Sequence, residues 1–111
     1  MVGIEMTAGS DSTKRNEDPA LTANALKAMA HPIRWKILCA LGEKELTVRE
    51  IIEKVGTTQS NVSQHLEILR TKHIVISRKE GNHVLCRVRN KQLQMLIENM
   101  RGVLCRVNLN D

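Results

Sequence analysis

The chain has 111 residues, one domain's worth and enough for a modest core. Hydrophobic residues make up 41% of it but aromatic residues only 1%, with Trp35 the sole aromatic side chain. Aliphatic side chains must therefore build the core, and the composition argues against a single strand of nucleic acid stacked on aromatic platforms. The net charge of +5 is concentrated in residues 58–91, where Arg70, Lys72, Arg78, Lys79, Arg87, Arg89 and Lys91 face only Glu67 and Glu80. Elsewhere acidic and basic residues balance. An excess packed into a third of the chain is the footprint expected for a polyanionic partner, although a solvated basic face would carry the same charge.

No run is long enough to span a membrane. The opening MVGIEMTAGSDSTKR has no apolar signal segment, so a cytoplasmic location is expected. In that compartment Cys39, Cys86 and Cys105 are expected as thiols rather than as a disulfide framework. No nucleophile–base pattern and no glycine-rich phosphate loop is present, so no catalytic residue, cofactor or enzymatic activity is expected.

Residues 1–17 are polar, small and aperiodic and read as a flexible arm before a domain spanning 18–108. Asp18-Pro19 is an N-cap followed by proline at the first helical position, and Leu21, Ala25, Leu26 and Met29 continue at helical spacing. His31-Pro32 starts a second helix in the same way, and Gly42 ends it. Thr47-Val-Arg-Glu50 is a capping box for a third helix that runs to Gly56. Thr58 caps a fourth, whose Val62, Leu66 and Leu69 form one apolar stripe. Its other faces begin with Gln59, Ser60, Asn61, Ser63, Gln64 and His65. These are short, uncharged hydrogen-bonding groups, where an ordinary surface helix would show Lys and Glu. Such side chains suit base edges and phosphates.

Two helices joined by a tight glycine-containing turn match a helix-turn-helix. IVISRKE and HVLCRVR flank Gly81-Asn82 as the strands of a hairpin, a basic wing following the recognition helix. Val84, Cys86 and Val88 share its apolar face. Asn90 caps a last helix whose stripe comprises Leu93, Leu96, Ile97, Met100, Leu104 and Val107. That stripe is long for so small a domain and points to a dimer seam shared with the first helix; packing onto its own domain is the alternative. The fold class is thus mainly α with a small β-hairpin wing: a winged helix-turn-helix of about five helices, acting as a homodimer.

ALKAMAHPIRWKILCAL, ELTVREI, TTQSNVSQHLEILR and RKEGNHVLCRV, in this order over residues 20–105, resemble the ArsR/SmtB family of bacterial repressors. The resemblance implies a homodimer that binds double-stranded operator DNA and releases it when an effector binds. It places Gln59, Ser60, Ser63, Gln64 and His65, behind the Thr58 cap, in the major groove. Arg78, Lys79 and Asn82 of the wing would reach an adjacent groove or the backbone.

Metal-sensing members carry Cys-x-Cys in the third helix or His with Asp or Glu in the last. Here the first slots hold Thr47 and Arg49, and residues 91–107 contain no His or Asp and only Glu98, so no metal site is expected. The chain instead resembles the dithiol reactive-sulfur and redox sensors of the HlyU/BigR/SqrR type, which hold one cysteine in the second helix and one in the last. Cys39 and Cys105 occupy those positions. Independently of the family, at about 100° per residue Cys39 lies off the Ile33–Ile37–Leu41 stripe and Cys105 lies about 120° from the centre of the last stripe. Both thus flank their helices, with Lys36, Arg101 and Arg106 within a turn in sequence. A reactive sulfur species or oxidant is the effector this implies. Plain packing remains open for either cysteine, and packing is the expectation for Cys86. Two alternatives remain: an arsenite-responsive repressor using all three thiols, and a winged helix that binds protein rather than DNA.

Overall fold

The computed structural model describes residues 18–110, with side chains described through Leu104; the expected arm and the side chains of Cys105 and Val107 lie outside the described residues. Among the described residues, five helices and three short strands follow in the order α1 (Pro19–Met29), α2 (Pro32–Leu41), β1 (Leu46–Thr47), α3 (Val48–Val55), α4 (Gln59–Thr71), β2 (Val75–Glu80), β3 (His83–Val88) and α5 (Lys91–Asn110). Among the described residues no helix is long and apolar enough to cross a membrane.

Local chemistry starts each helix. The Asp18 carboxylate accepts from the Ala20 N–H at 2.9 Å, and His31 Nδ1 accepts from the Ile33 N–H at 3.1 Å. Proline follows each cap at the first helical position, where its missing N–H costs nothing. Thr47 and Glu50 close the capping box of α3 in both directions. The hydroxyl of Thr58 accepts from the Asn61 N–H at 3.1 Å, and Asn90 Oδ1 from the Leu93 N–H at 2.8 Å. Gly56 ends α3 with φ 80°, a left-handed position that glycine adopts without strain. His73 takes the same region, φ 60°, just past α4. Its N–H donates to the Arg70 carbonyl and the Ile74 N–H to the Leu69 carbonyl, so the helix closes in a Schellman pattern with histidine where glycine is usual.

The wing is more than a hairpin. β1 adds to β3, giving an antiparallel sheet of order β1-β3-β2 with Leu46 opposite Cys86 and Thr47 opposite Leu85. β2 and β3 pair from Val75–Val88 to Glu80–His83 around a two-residue turn. Gly81 alone in that turn has positive φ, 63°, which makes it a type II′ connection suited to the twist of the strands.

The core gathers Ile37, Leu38 and Leu41 of α2, Ile51 of α3, Val62, Leu66 and Leu69 of α4, and Val75, Cys86 and Val88 of the sheet, all at most 1% exposed. α2 lies at its centre, packed on α1, α3, α4, α5 and β3. The stripe of α5 divides. Ile97 is buried and Leu93 and Met100 pack on the core, whereas Met95, Leu96, Val103 and Leu104 stand exposed, as do Leu21 and Leu26 of α1. Intramolecular packing thus takes one side of the last helix and leaves an apolar remainder on the two helices expected to form a seam. Exposed apolar groups of this size, gathered on two helices, call for a partner surface.

Candidate nucleic-acid interface and thiol groove

The buried stripe Val62–Leu66–Leu69 determines which way α4 faces. With it turned inward, Gln59, Ser60, Ser63 and Gln64 are exposed beside the Thr58 cap. No acidic side chain occupies the first turn of α4, so the positive end of the helix meets solvent unopposed by a carboxylate. Asn61 turns partly inward and donates from its side-chain amide to Thr57 Oγ1 at 3.0 Å, bracing the turn against the helix. Lys79 and Asn82 are exposed at the wing tip.

Two expected DNA contacts are otherwise engaged. His65 does not project with its neighbours: its ring stacks on His31, centroids 4.2 Å apart, and its Nδ1 lies 3.3 Å from an Arg34 guanidinium nitrogen. Arg34 also donates through Nε to the Ala28 carbonyl at the α1–α2 junction. The ring sits three residues from Val62 and one from Leu66, close enough to the inward stripe to meet the start of α2. Desolvation, then His31 and Arg34, hold its pKa below the ordinary histidine value. Arg78 is 51% exposed but forms a fork with Glu45, at 2.8 and 2.9 Å, with Glu80 3.6 Å away. That fork lowers the Glu45 carboxyl and raises Arg78. Glu45 and the His31–Arg34 pair are partners that no local spacing announces.

Cys39 lies half-buried in an open groove of about 590 Å³ lined by Trp35, Lys36, Ala40, Lys44, Lys54, Val55 and Arg101. Burial pushes its thiol up, Arg101 draws it down, and Glu98 raises it. Arg101 pairs loosely with Glu98, at 3.6 Å. Cys39 therefore faces the α5 segment that precedes Cys105, which follows Arg101 by four residues, about one turn. Cys86 is fully buried in the sheet with its sulfur 3.5 Å from Ser77 Oγ, in the packing role expected of it. Among the described residues no group of three His, Cys, Asp or Glu is placed to hold a metal ion.

A helix-turn-helix with a polar recognition face, flanked by a basic three-stranded wing, defines a winged-helix transcriptional regulator. The comparisons agree: the pattern described as "Bacterial regulatory protein, arsR family" matches residues 31–77. The transcriptional activator HlyU of Vibrio cholerae is 37% identical over 83 residues, 75% of this chain and 77% of that protein. The biofilm growth-associated repressor of Xylella fastidiosa is 31% identical over 83 residues, 75% of this chain and 73% of that protein. The solved structure of reduced HlyU from Vibrio cholerae superposes with a TM-score of 0.72 at 34% identity, covering 85% of this chain and 97% of that one. The chain belongs to the ArsR family of bacterial regulatory proteins and is a transcriptional regulator, not an enzyme.

Proposed function

We propose that this regulator is a homodimeric repressor that binds an inverted-repeat operator and releases it when Cys39 and Cys105 become joined. The observation that carries the reading is the placement of Cys39 in a groove against α5, one turn short of Cys105. Similarity to a biofilm repressor and to a protein studied as "reduced HlyU" supports it. Each dimer would insert two α4 helices into successive major grooves, with Gln59, Ser60, Ser63 and Gln64 on base edges and Lys79 and Asn82 on the backbone. Arg78 would exchange Glu45 for phosphate. His65 would act from behind, tying the recognition helix to α2. Leu21, Leu26, Leu96 and Leu104 would form the dimer seam.

The covalent step balances as follows. The Cys39 thiolate attacks the outer sulfur of a persulfide R–S–SH, forming Cys39–S–SH and releasing R–S⁻. Attack by the Cys105 thiolate on the Cys39 sulfur then closes a disulfide and releases HS⁻. The bridge would tether α2 to α5. Because α2 packs directly on α4 and contacts His65, the recognition helices would be displaced relative to the seam, shifting the dimer from its DNA-binding arrangement. Full burial of Cys86 weighs against a three-thiol arsenite site, which would need that sulfur to leave the sheet.

Reduced protein treated separately with glutathione persulfide, peroxide and arsenite, with intact mass and operator binding followed in parallel, tests the reading. A Cys39–Cys105 bridge formed together with DNA release supports it. Release by arsenite alone, or bridging without release, overturns it.

A further inference from the structure

The groove around Cys39 is lined by charge of one sign. Lys36 and the half-buried Cys39 come from α2, Lys44 from the loop after it, Lys54 from α3 and Arg101 from α5, and among the described residues no carboxylate lines the groove. Lys36, Lys44 and Lys54 are exposed, and none is in an ion pair among the described residues. Four cations from four segments thus line one groove among the described residues; the charge that acts on the thiol itself is that of Arg101, with Glu98 opposing it.

We infer that this groove is a receptor for an anionic sulfur donor, a small persulfide or polysulfide bearing negative charge, in preference to neutral oxidants. The inference rests on Cys39 being the sensing thiol and names what reaches it. The cations would concentrate an anionic donor at the sulfur and stabilise the thiolate that departs when Cys39 takes the outer sulfur. A neutral peroxide gains nothing from them on approach. Trp35 and Val55 contribute apolar surface to the wall of the groove.

The test uses two methanethiosulfonates that react by the same displacement, one carrying a sulfonate and one a trimethylammonium group. In each, the thiolate takes the S–R group and methanesulfinate leaves. Labelling rates at Cys39 in the full-length Cys105→Ser protein are read by peptide mass and normalised to the rates of both reagents on a small neutral thiol. The expected normalised preference for the anionic reagent is about tenfold in low salt, the lower end of what a charge-lined cleft does to local concentration. It should fall toward unity in 0.5 M salt, roughly where screening reaches a few ångströms. The exposed substitutions Lys44→Gln and Lys54→Gln together, which leave Lys36 and Arg101 in place, should lower it by at least about half, with helix content unchanged. A ratio at or below one overturns the inference, as does a preference undiminished by loss of both lysines. Because the readout is labelling rather than DNA release, charge selectivity can hold even if the sensing role of Cys39 fails. Conversely, a sensing Cys39 without charge selectivity would refute this inference alone.

Discussion

Removing the Thr58 hydroxyl tests whether the start of α4 is the DNA-reading surface. Thr58→Ala deletes the acceptor for the Asn61 N–H, a 3.1 Å bond, and leaves the first turn of α4 held mainly by the Asn61–Thr57 side-chain contact. Loss of such a cap costs about 1 kcal/mol, which lowers the midpoint of thermal unfolding by about 4–8 °C in a domain of this size. Asn90→Ala deletes the equivalent bond, 2.8 Å to the Leu93 N–H, beside Lys72 and His73 at the far end of α4. The two variants should therefore lose similar stability. Their DNA binding should differ. If the cap energy were expressed fully in operator affinity, Thr58→Ala would weaken each half-site about fivefold and a two-site dimer about 30-fold; partial fraying gives a smaller loss, at least about twofold. Asn90→Ala should change affinity by less than about twofold, and Thr58→Ser should restore both properties. Calorimetry together with fluorescence anisotropy on one operator decides the matter. Equal affinity losses in the two alanine variants, or an undiminished affinity in Thr58→Ala, would refute the placement of the reading surface.

Other consequences are as direct. His73→Gly should raise stability by about 0.5–1 kcal/mol, because it relieves a side chain held at φ 60°, while Gly56→Ala at φ 80° should lower it by about 1 kcal/mol; chemical denaturation measures both. The His65 pKa is depressed in the fold, so the native state binds fewer protons than the unfolded one. The resulting contribution to stability is present above the ordinary histidine value of 6.5 and is lost as pH falls through it toward the lowered value. Midpoints recorded from pH 8 to pH 5 should show this decline, and His65→Gln should flatten it. Leu96→Glu combined with Leu104→Glu should yield a folded monomer by sedimentation, since both side chains are about half exposed and lie on the expected seam.

The helix starts could be read in the sequence because capping is local. Asp18, His31, Thr47, Thr58 and Asn90 each bond a backbone N–H two or three residues on, so composition and spacing alone betray them. The recognition face was legible for a related reason: three aliphatic residues at helical spacing determine where the polar ones point. β1 was not. Two residues are too short for an alternating pattern, and Leu46 finds its partner Cys86 forty positions later. The same holds for His65 on His31 and Arg78 on Glu45, which are contacts between segments 33 or 34 residues apart. They concern residues whose type suits DNA, and only the packing of α4 and the twist of the wing assign them other partners. The last helix illustrates a different limit. Periodicity finds its apolar stripe, but dividing Ile97 from Leu96 and Leu104 requires knowing how much of that stripe α2 and β3 cover.

The central claim is that Cys39 and Cys105 work as one switch, separate from the DNA-reading surface. Operator affinity of Cys39→Ser and Cys105→Ser, measured by anisotropy before and after glutathione persulfide with Trp35 emission followed in the same sample, tests it most directly. Trp35 stands one turn before Cys39 and shares its groove, so bridging at Cys39 should change its emission. The account predicts that both variants bind like the reduced protein and that neither releases DNA on treatment. Release by either variant at the wild-type dose would contradict it.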